Sequence, residues 1–268
     1  MKTLSKLFRA LGKVIRNPYL LNAVLDQEEE HQRQMLAEGT DSSGLPEIAF
    51  NQFLPASGVT VSPFAFLDGG SLPTDLALIR LLAPLTQAET YFEIGTWRGE
   101  SVMQAAQVFK QAYTLNLPDE EMRRRGWEEA YINLHRYFSA RQANVIHLQG
   151  DSRKFNTEAL EGNCDFVFVD GDHHYDSVVN DTQLAFRLIR KGGIIVWHDY
   201  AHSPEQVRWN VFHGIMKGAP ESAKPHLYSV SNTLCAAYLP NYTGETSRRQ
   251  YPSKPNPGFS LTIQPYQS

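Results

Sequence analysis

Asp170, His173, His198 and Asp199 are the residues of this chain best placed to do chemistry. They close a stretch, 164–200, that reads CDFVFVDGDHHYDSVVNDTQLAFRLIRKGGIIVWHDY. An apolar run at 165–169 has the character of a buried strand and empties into Asp170-Gly171-Asp172-His173-His174. A helix over 177–190 follows, then a Lys191-Gly192-Gly193 turn, then a second apolar run at 193–197 ending in His198-Asp199. Two neighbouring parallel strands would therefore carry acids and imidazoles at their carboxyl ends, where open α/β sheets bind ligands. Carboxylates at adjacent strand ends can share one divalent cation, and Asp170, His198 and Asp199 are the candidate ligands. The imidazole of His198 also leaves room for a softer metal. The other chemistry open to these residues is proton transfer, with His198 or His173 as base beside Asp170. Asp172 and His174 would then fix the loop.

Three further strand ends are candidates for binding. Residues 91–101, YFEIGTWRGES, read as strand, turn and helix. Gly95 and Gly99 allow the backbone close to a ligand, and the helix start offers free N–H groups. Trp97 and Glu100 stand at the second and third glycine positions of the dinucleotide fingerprint, which argues against a tightly held pyrophosphate. Residues 113–118 end a second strand at Asn116 and Leu117, where a short side chain can grip a diol. Residues 147–152 end a third at Asp151-Ser152, either a ligand contact or a helix N-cap. His147, in mid-strand, reads as a packed histidine.

Positioning these groups requires alternating elements. The pattern gives strands at 90–94, 112–117, 144–149, 165–169 and 193–197, with helices between them. A helix from Thr74, capped by Thr74 or Asp75, precedes the first strand. A polar segment helical to about residue 140 follows the second. A helix at 207–216 and a closing pair at 227–230 and 234–239 complete the set. Such alternation implies βαβ units, a parallel sheet and right-handed crossovers. The expected organisation is an N-terminal helical and irregular part (1–73), a core (74–239) and an extended tail (240–268). Residues 1–39 read as two helices broken near Asn17-Pro18. Segments 40–72 and 200–225 are expected to shape a pocket for the second reactant.

The chain has 268 residues, 42% of them hydrophobic, and a formal charge of −4. That balance argues against a nucleic-acid binder. Cys164 and Cys235 read as buried free thiols, in keeping with a cytoplasmic protein. No apolar run has a membrane span's length, and the N-terminus lacks a secretory signal's pattern. Leu4, Leu7, Phe8, Leu11, Val14 and Ile15 share one face of a first helix, and Lys2, Lys6, Arg9, Lys13 and Arg16 occupy others. Packing on its own domain or on a second subunit, as a homo-oligomer, is preferred here over contact with a membrane surface.

The four motifs, in this order, resemble class I S-adenosylmethionine-dependent methyltransferases, specifically the branch carrying DGDHxY and GGxIxxHD. The resemblance covers residues 74–239. It implies a Rossmann-like, doubly wound α/β fold: a mostly parallel seven-stranded sheet with its last strand antiparallel, here with an N-terminal helical extension. It implies S-adenosylmethionine as cofactor and a small-molecule acceptor, most plausibly a hydroxyl. By resemblance, Glu93 and Gly95 line the methionine portion, Asn116 stands at the ribose, Asp151 at the adenine and Asp170 at the rim, with Thr96, Gly99, Leu117 and Ser152 also in the cofactor site. The resemblance also implies a magnesium site, held by Asp170 and Asp199. Asn116 departs from the family's usual acid, and His198 from its usual acid or amide. A nicotinamide-dependent oxidoreductase and a non-catalytic scaffold are the other readings.

Overall fold

The computed structural model describes residues 2–16, 28–67, 69–255 and 258–266. The expected break at Asn17-Pro18 lies outside them. Alternation of apolar side chains along three central strands builds two cores, one on each face of a sheet. In β2 (Thr90–Ile94), β5 (Cys164–Val169) and β6 (Ile189–Trp197), one face carries Phe92, Ile94, Val167, Val169, Ile195 and Trp197. The opposite face carries Tyr91, Phe166, Phe168, Ile194 and Val196. Helices α2 (Glu28–Ala37), α7 (Tyr175–Leu188) and α8 (Trp209–Gly218) cover the first face. Helices α3 (Pro73–Leu82) and α4 (Glu100–Ala106) cover the second.

The remaining strands are β1 (Glu47–Ile48), β3 (Gln111–Asn116), β4 (Val145–Gln149), β9 (Leu227–Val230) and β10 (Ala236–Tyr238). The sheet order is β1-β9-β10-β6-β5-β2-β3-β4, with β10 antiparallel to both neighbours and the other pairings parallel. The chain winds outward through β2, β3 and β4, then returns to lay β5 beside β2 and winds the other way. The order thus reverses between β2 and β5.

The expected Rossmann-like, doubly wound sheet is present, with eight strands instead of seven. The eighth, β1, comes from the segment read as irregular. Its two residues pair in parallel with Ser229 and Val230, too short a run to leave a periodic trace. Several boundaries also move. Helix α7 ends at Leu188 and the chain passes straight into β6, so Lys191-Gly192-Gly193 lies inside that strand. The register with β5 shifts there, between Cys164 and Phe166, and Gly192 takes φ +79. The polar segment after β3 is broken into α5 (Asp119–Arg124) and α6 (Glu129–Ile132), with Gly126 at φ +83 between them. A two-stranded hairpin, β7 (Ala201–Ser203) and β8 (Gln206–Val207), takes up the expected start of α8. Residue Leu72, not Thr74 or Asp75, occupies the N-cap of α3. Asp75 sits three residues on and accepts from the Leu72 N–H at 2.7 Å. Cys164 and Cys235 are buried and free, as expected. Among the described residues no helix is long and apolar enough to cross a membrane.

Candidate active site

Three strands end level with one another. Ile94 pairs with Val169, and Val169 with Trp197. Each strand extends its ladder by one residue beyond these pairs. Gly95 N–H donates to Leu115 O at 2.9 Å, Asp170 N–H to Ile94 O at 2.8 Å, and His198 N–H to Val169 O at 2.9 Å. Gly95, Asp170 and His198 therefore form one row at the carboxyl edge, at the point where the strand order reverses. This is where the sheet's geometry places a ligand.

His198 is the centre of the row's acidic half. Its Nε2 lies 3.1 Å from Asp75 Oδ2 and its Nδ1 lies 3.0 Å from Asp170 Oδ1. Asp199 Oδ1 is 3.7 Å from the same Nδ1 and 3.3 Å from Arg208 Nη1. Asp75 is fully buried and spends its other oxygen on the Leu234 N–H at 2.7 Å and the Cys235 thiol. Burial by itself would push the His198 imidazole down, but Asp170, Asp199 and Asp75 outweigh it and hold the ring well above its ordinary value. Burial raises Asp170, with Asp199 and Asp75 adding repulsion and His198 opposing them. Burial would raise Asp199 too, but His198 and Arg208 pull it down to about 2. The cluster can hold and move one proton between imidazole and carboxylate. Asp170, His198 and Asp199 also present ligand atoms that all lie within 4.8 Å of one another.

The glycine turn serves the chain itself. Gly95 takes φ +98, and a Cβ there would fall on the Asp170 carbonyl oxygen. Gly99 takes φ +84, and a Cβ there would meet the Ser139 hydroxyl. Both glycines therefore allow close approach, here of neighbouring backbone and side chain. Residues 136–138 cross this turn, with Arg136 N–H donating to Trp97 O and Phe138 N–H to Arg98 O. Glu93 lies beneath the row. It is fully buried, accepting from Tyr91 Oη at 2.7 Å and Thr114 Oγ1 at 3.0 Å, while Thr114 and Thr96 share a short hydroxyl contact. Burial raises its carboxyl to about 8.

A narrow cavity opens beyond β2, β3 and β4. Thr96, Asn116 and Leu117 line it, with Asp119, Arg136 and His147. Asp119 accepts from Arg136 through the single nitrogen Nη2, which lies 3.0 Å from each of its oxygens. Asp119 was not singled out from sequence, yet it puts a carboxylate in the same cavity as the amide of Asn116. Its signal was position alone, three residues after the strand end across Pro118. Its lining offers an amide, a carboxylate and two leucines around a space of about 10 Å³.

The other candidates make contacts of their own. Asp151 Oδ1 accepts the Arg153 N–H at 3.0 Å, the turn-forming use of such a residue, and Ser152 donates to Asp181 at 2.7 Å. His147 Nε2 rests on Ser139 O at 3.2 Å, so it is packed as expected. His174 pairs with Asp172, which also accepts from Ser177 at 3.0 Å, so these two do fix the loop. His173 is exposed and stacks on His174 with ring centroids 5.5 Å apart. A separate cleft of about 750 Å³ lies between α2, the β7–β8 hairpin and residues 249–251. Arg208 links it to the row, donating from Nε to His202 at 3.1 Å.

Residues 92–200 match the family described as "Methyltransferase domain". The match begins in β2 and ends two residues past His198, so it contains every strand end of the row. Over 125 residues the chain is 32% identical to the uncharacterized protein R132 of Acanthamoeba polyphaga mimivirus, an alignment spanning 45% of this chain and 54% of the viral protein. A Klebsiella pneumoniae protein provisionally described as an O-methyltransferase is 18% identical, with a TM-score of 0.43 over 82% of this chain and 94% of its own. The CcbJ methyltransferase of Streptomyces caelestis is 15% identical, with a TM-score of 0.37 over 55% of this chain and 57% of its own. Of the His198 cluster, Asp170 and Asp199 lie within the matched residues and Asp75 lies outside them.

Proposed function

We propose that the protein transfers a methyl group from S-adenosylmethionine to a hydroxyl of a small molecule. The observation that carries this is the His198 imidazole gripped between Asp75 and Asp170 at the sheet's reversal point, inside a methyltransferase domain. Bound S-adenosylmethionine supplies an electrophilic methyl on a cationic sulfur. Thr96, Asn116, Leu117 and Asp119 would hold its nucleoside, and the Asp170 carboxylate would favour its positive end. Aligning acceptor, methyl and sulfur can itself be worth about 7–11 kcal/mol. The row's own contribution is to the acceptor proton: once His198 has lost its own proton, the Asp170–His198 pair takes up the hydroxyl's single proton as that oxygen becomes a nucleophile. Asp75 holds the ring in one orientation and stabilises the charge it gains, much as an acid behind a catalytic histidine does.

A second reading rests on the 4.8 Å grouping of Asp170, His198 and Asp199, which suits one divalent cation. Arg208 already compensates Asp199, and a protonated His198 would compensate Asp170 and Asp75, so the proton reading is preferred. Calorimetric titration with S-adenosylmethionine comes first, beside a nicotinamide dinucleotide as comparator. Transfer of a labelled methyl to a panel of phenols and alcohols follows, with and without chelator. Binding of the sulfonium nucleoside and chelator-resistant transfer are expected. Absence of binding heat would remove the function, and transfer lost on chelation would replace the proton reading by the metal one.

A further inference from the structure

We propose that helix α1 (Lys2–Arg16) is a docking surface for an anionic lipid membrane. Its sequence, KTLSKLFRALGKVIR, holds five lysines and arginines and no acid. At 3.6 residues per turn, Leu4, Leu7, Phe8, Leu11, Val14 and Ile15 fall within an arc of about 120°. The cations fall within an arc of roughly 80° on the opposite side, with Ser5, Ala10 and Gly12 between.

The structure adds the decisive point, which the sequence left open. A helix packed on its own domain would bury that apolar arc. Instead Leu4 is 63% exposed, Leu7 59%, Phe8 68%, Leu11 56% and Ile15 72%. These five side chains form an exposed stripe along about three turns. Of the sequence-based preference for packing on the chain's own domain or on a second subunit, the first half is not met among the described residues.

Charge selects the occupant. Elsewhere the chain carries 29 acids against 20 lysines and arginines, so its body is repelled by anionic lipid. All cations and no anions on α1 match a surface of uniform negative sign. A second copy of the helix would bring five more positive charges alongside the first five, without a compensating acid. Burying an apolar arc at the headgroup boundary while lysine and arginine stems reach the lipid phosphates is the interfacial arrangement. This inference stands apart from the reading of the active site.

The test uses the full chain. Flotation with vesicles of phosphatidylcholine mixed with phosphatidylglycerol should carry the protein upward, and vesicles of phosphatidylcholine alone should not. Replacing Lys6, Arg9 and Lys13 together by Gln should weaken partitioning roughly fivefold per cation removed, and raised salt should do the same. The pair Leu7→Asp and Leu11→Asp should abolish it. Because these side chains are exposed, all variants should unfold at the wild-type temperature, which separates a docking defect from misfolding. A wild-type chain that stays with the soluble fraction overturns the proposal. So do variants that partition like the wild type, or a dimer in light scattering that the Leu7/Leu11 variant converts to monomer without any vesicle binding.

Discussion

At the scale of single residues, the proposal turns on who holds the His198 proton. Its value is raised by Asp170, Asp199 and Asp75 against the opposing effect of burial, so the imidazole is free to accept a proton only above its ordinary range. Turnover should therefore climb as pH rises past neutrality. Replacing Asp75 by Asn removes one stabilising carboxylate and should move that ascending limb to lower pH, whereas a merely structural Asp75 would leave its position unchanged. His198→Ala should lower kcat by about 10²–10⁴-fold with little change in S-adenosylmethionine affinity. Stability has its own pH signature through Glu93, raised to about 8 by burial. A raised group contributes fully below its unfolded value, and the contribution is lost as pH climbs through the folded one. Glu93→Gln should thus gain on the wild type by a few kcal/mol at pH above 8, with the gap closing toward pH 4.5, as chemical denaturation across pH will show. His198 and Asp170 were legible because they end apolar runs. Asp75 and Asp119 were not, because Asp75 lies 123 positions from its histidine and read as a helix cap, while Asp119 follows a proline that hides its return to the strand end.

At the scale of elements, the site is a consequence of register. The ladder extensions through Gly95, Asp170 and His198 work only if the β2 turn lets the β5 backbone come close. Gly95→Ala puts a methyl on the Asp170 carbonyl at φ +98, so a destabilisation of about 3 kcal/mol or more is expected. The thermal midpoint should fall by roughly 6–12 °C. Gly126→Ala is the matched control. Its φ is +83 but nothing lies within 4 Å, so only backbone strain of about 1 kcal/mol remains. Equal losses at the two glycines would mean that the strand ends are not held by this approach. Across the adjoining cavity, Asp119→Ala should weaken S-adenosylmethionine binding about tenfold in calorimetry, the loss expected for a charge-assisted bond to a ribose hydroxyl. The central parallel strands β2, β5 and β6 were readable because both of their faces are buried over their apolar runs. The helix-to-strand passage at Leu188–Ile189 was not, because Lys191-Gly192-Gly193 has a turn's composition but serves as an irregularity inside β6.

At the scale of the whole molecule, the C-terminal segment reaches back to the site through the sheet's edge. Glu47 and Ser247 exchange backbone hydrogen bonds at 2.9 and 2.8 Å, so the tail pins β1 from outside. Arg249 pairs through Nε with Glu47 at 3.3 Å and lies over the Tyr200 ring, 5.5 Å from its centroid. Tyr200 is buried and accepts the Leu45 N–H at 2.9 Å, and it follows His198-Asp199 directly in the chain. Composition showed the tail as aperiodic and could not show this, since a single bridge and one buried arginine carry no repeat. The consequence is a chain of contacts from residues 247–249 through β1 and Tyr200 to the proton-holding row. Arg249→Ala leaves the Glu47 carboxylate without its partner in a mostly buried setting, where breaking such a pair costs about 3–5 kcal/mol. The thermal midpoint should drop by roughly 6–20 °C. Arg249→Lys keeps the charge but loses the planar stack, so it should recover only part of the loss. If the tail were a loose appendage, Arg249→Ala and a truncation before Ser247 would both melt with the wild type. If it is the clamp described, the two should fall together, and their effects should not add, because each removes the same hold on β1.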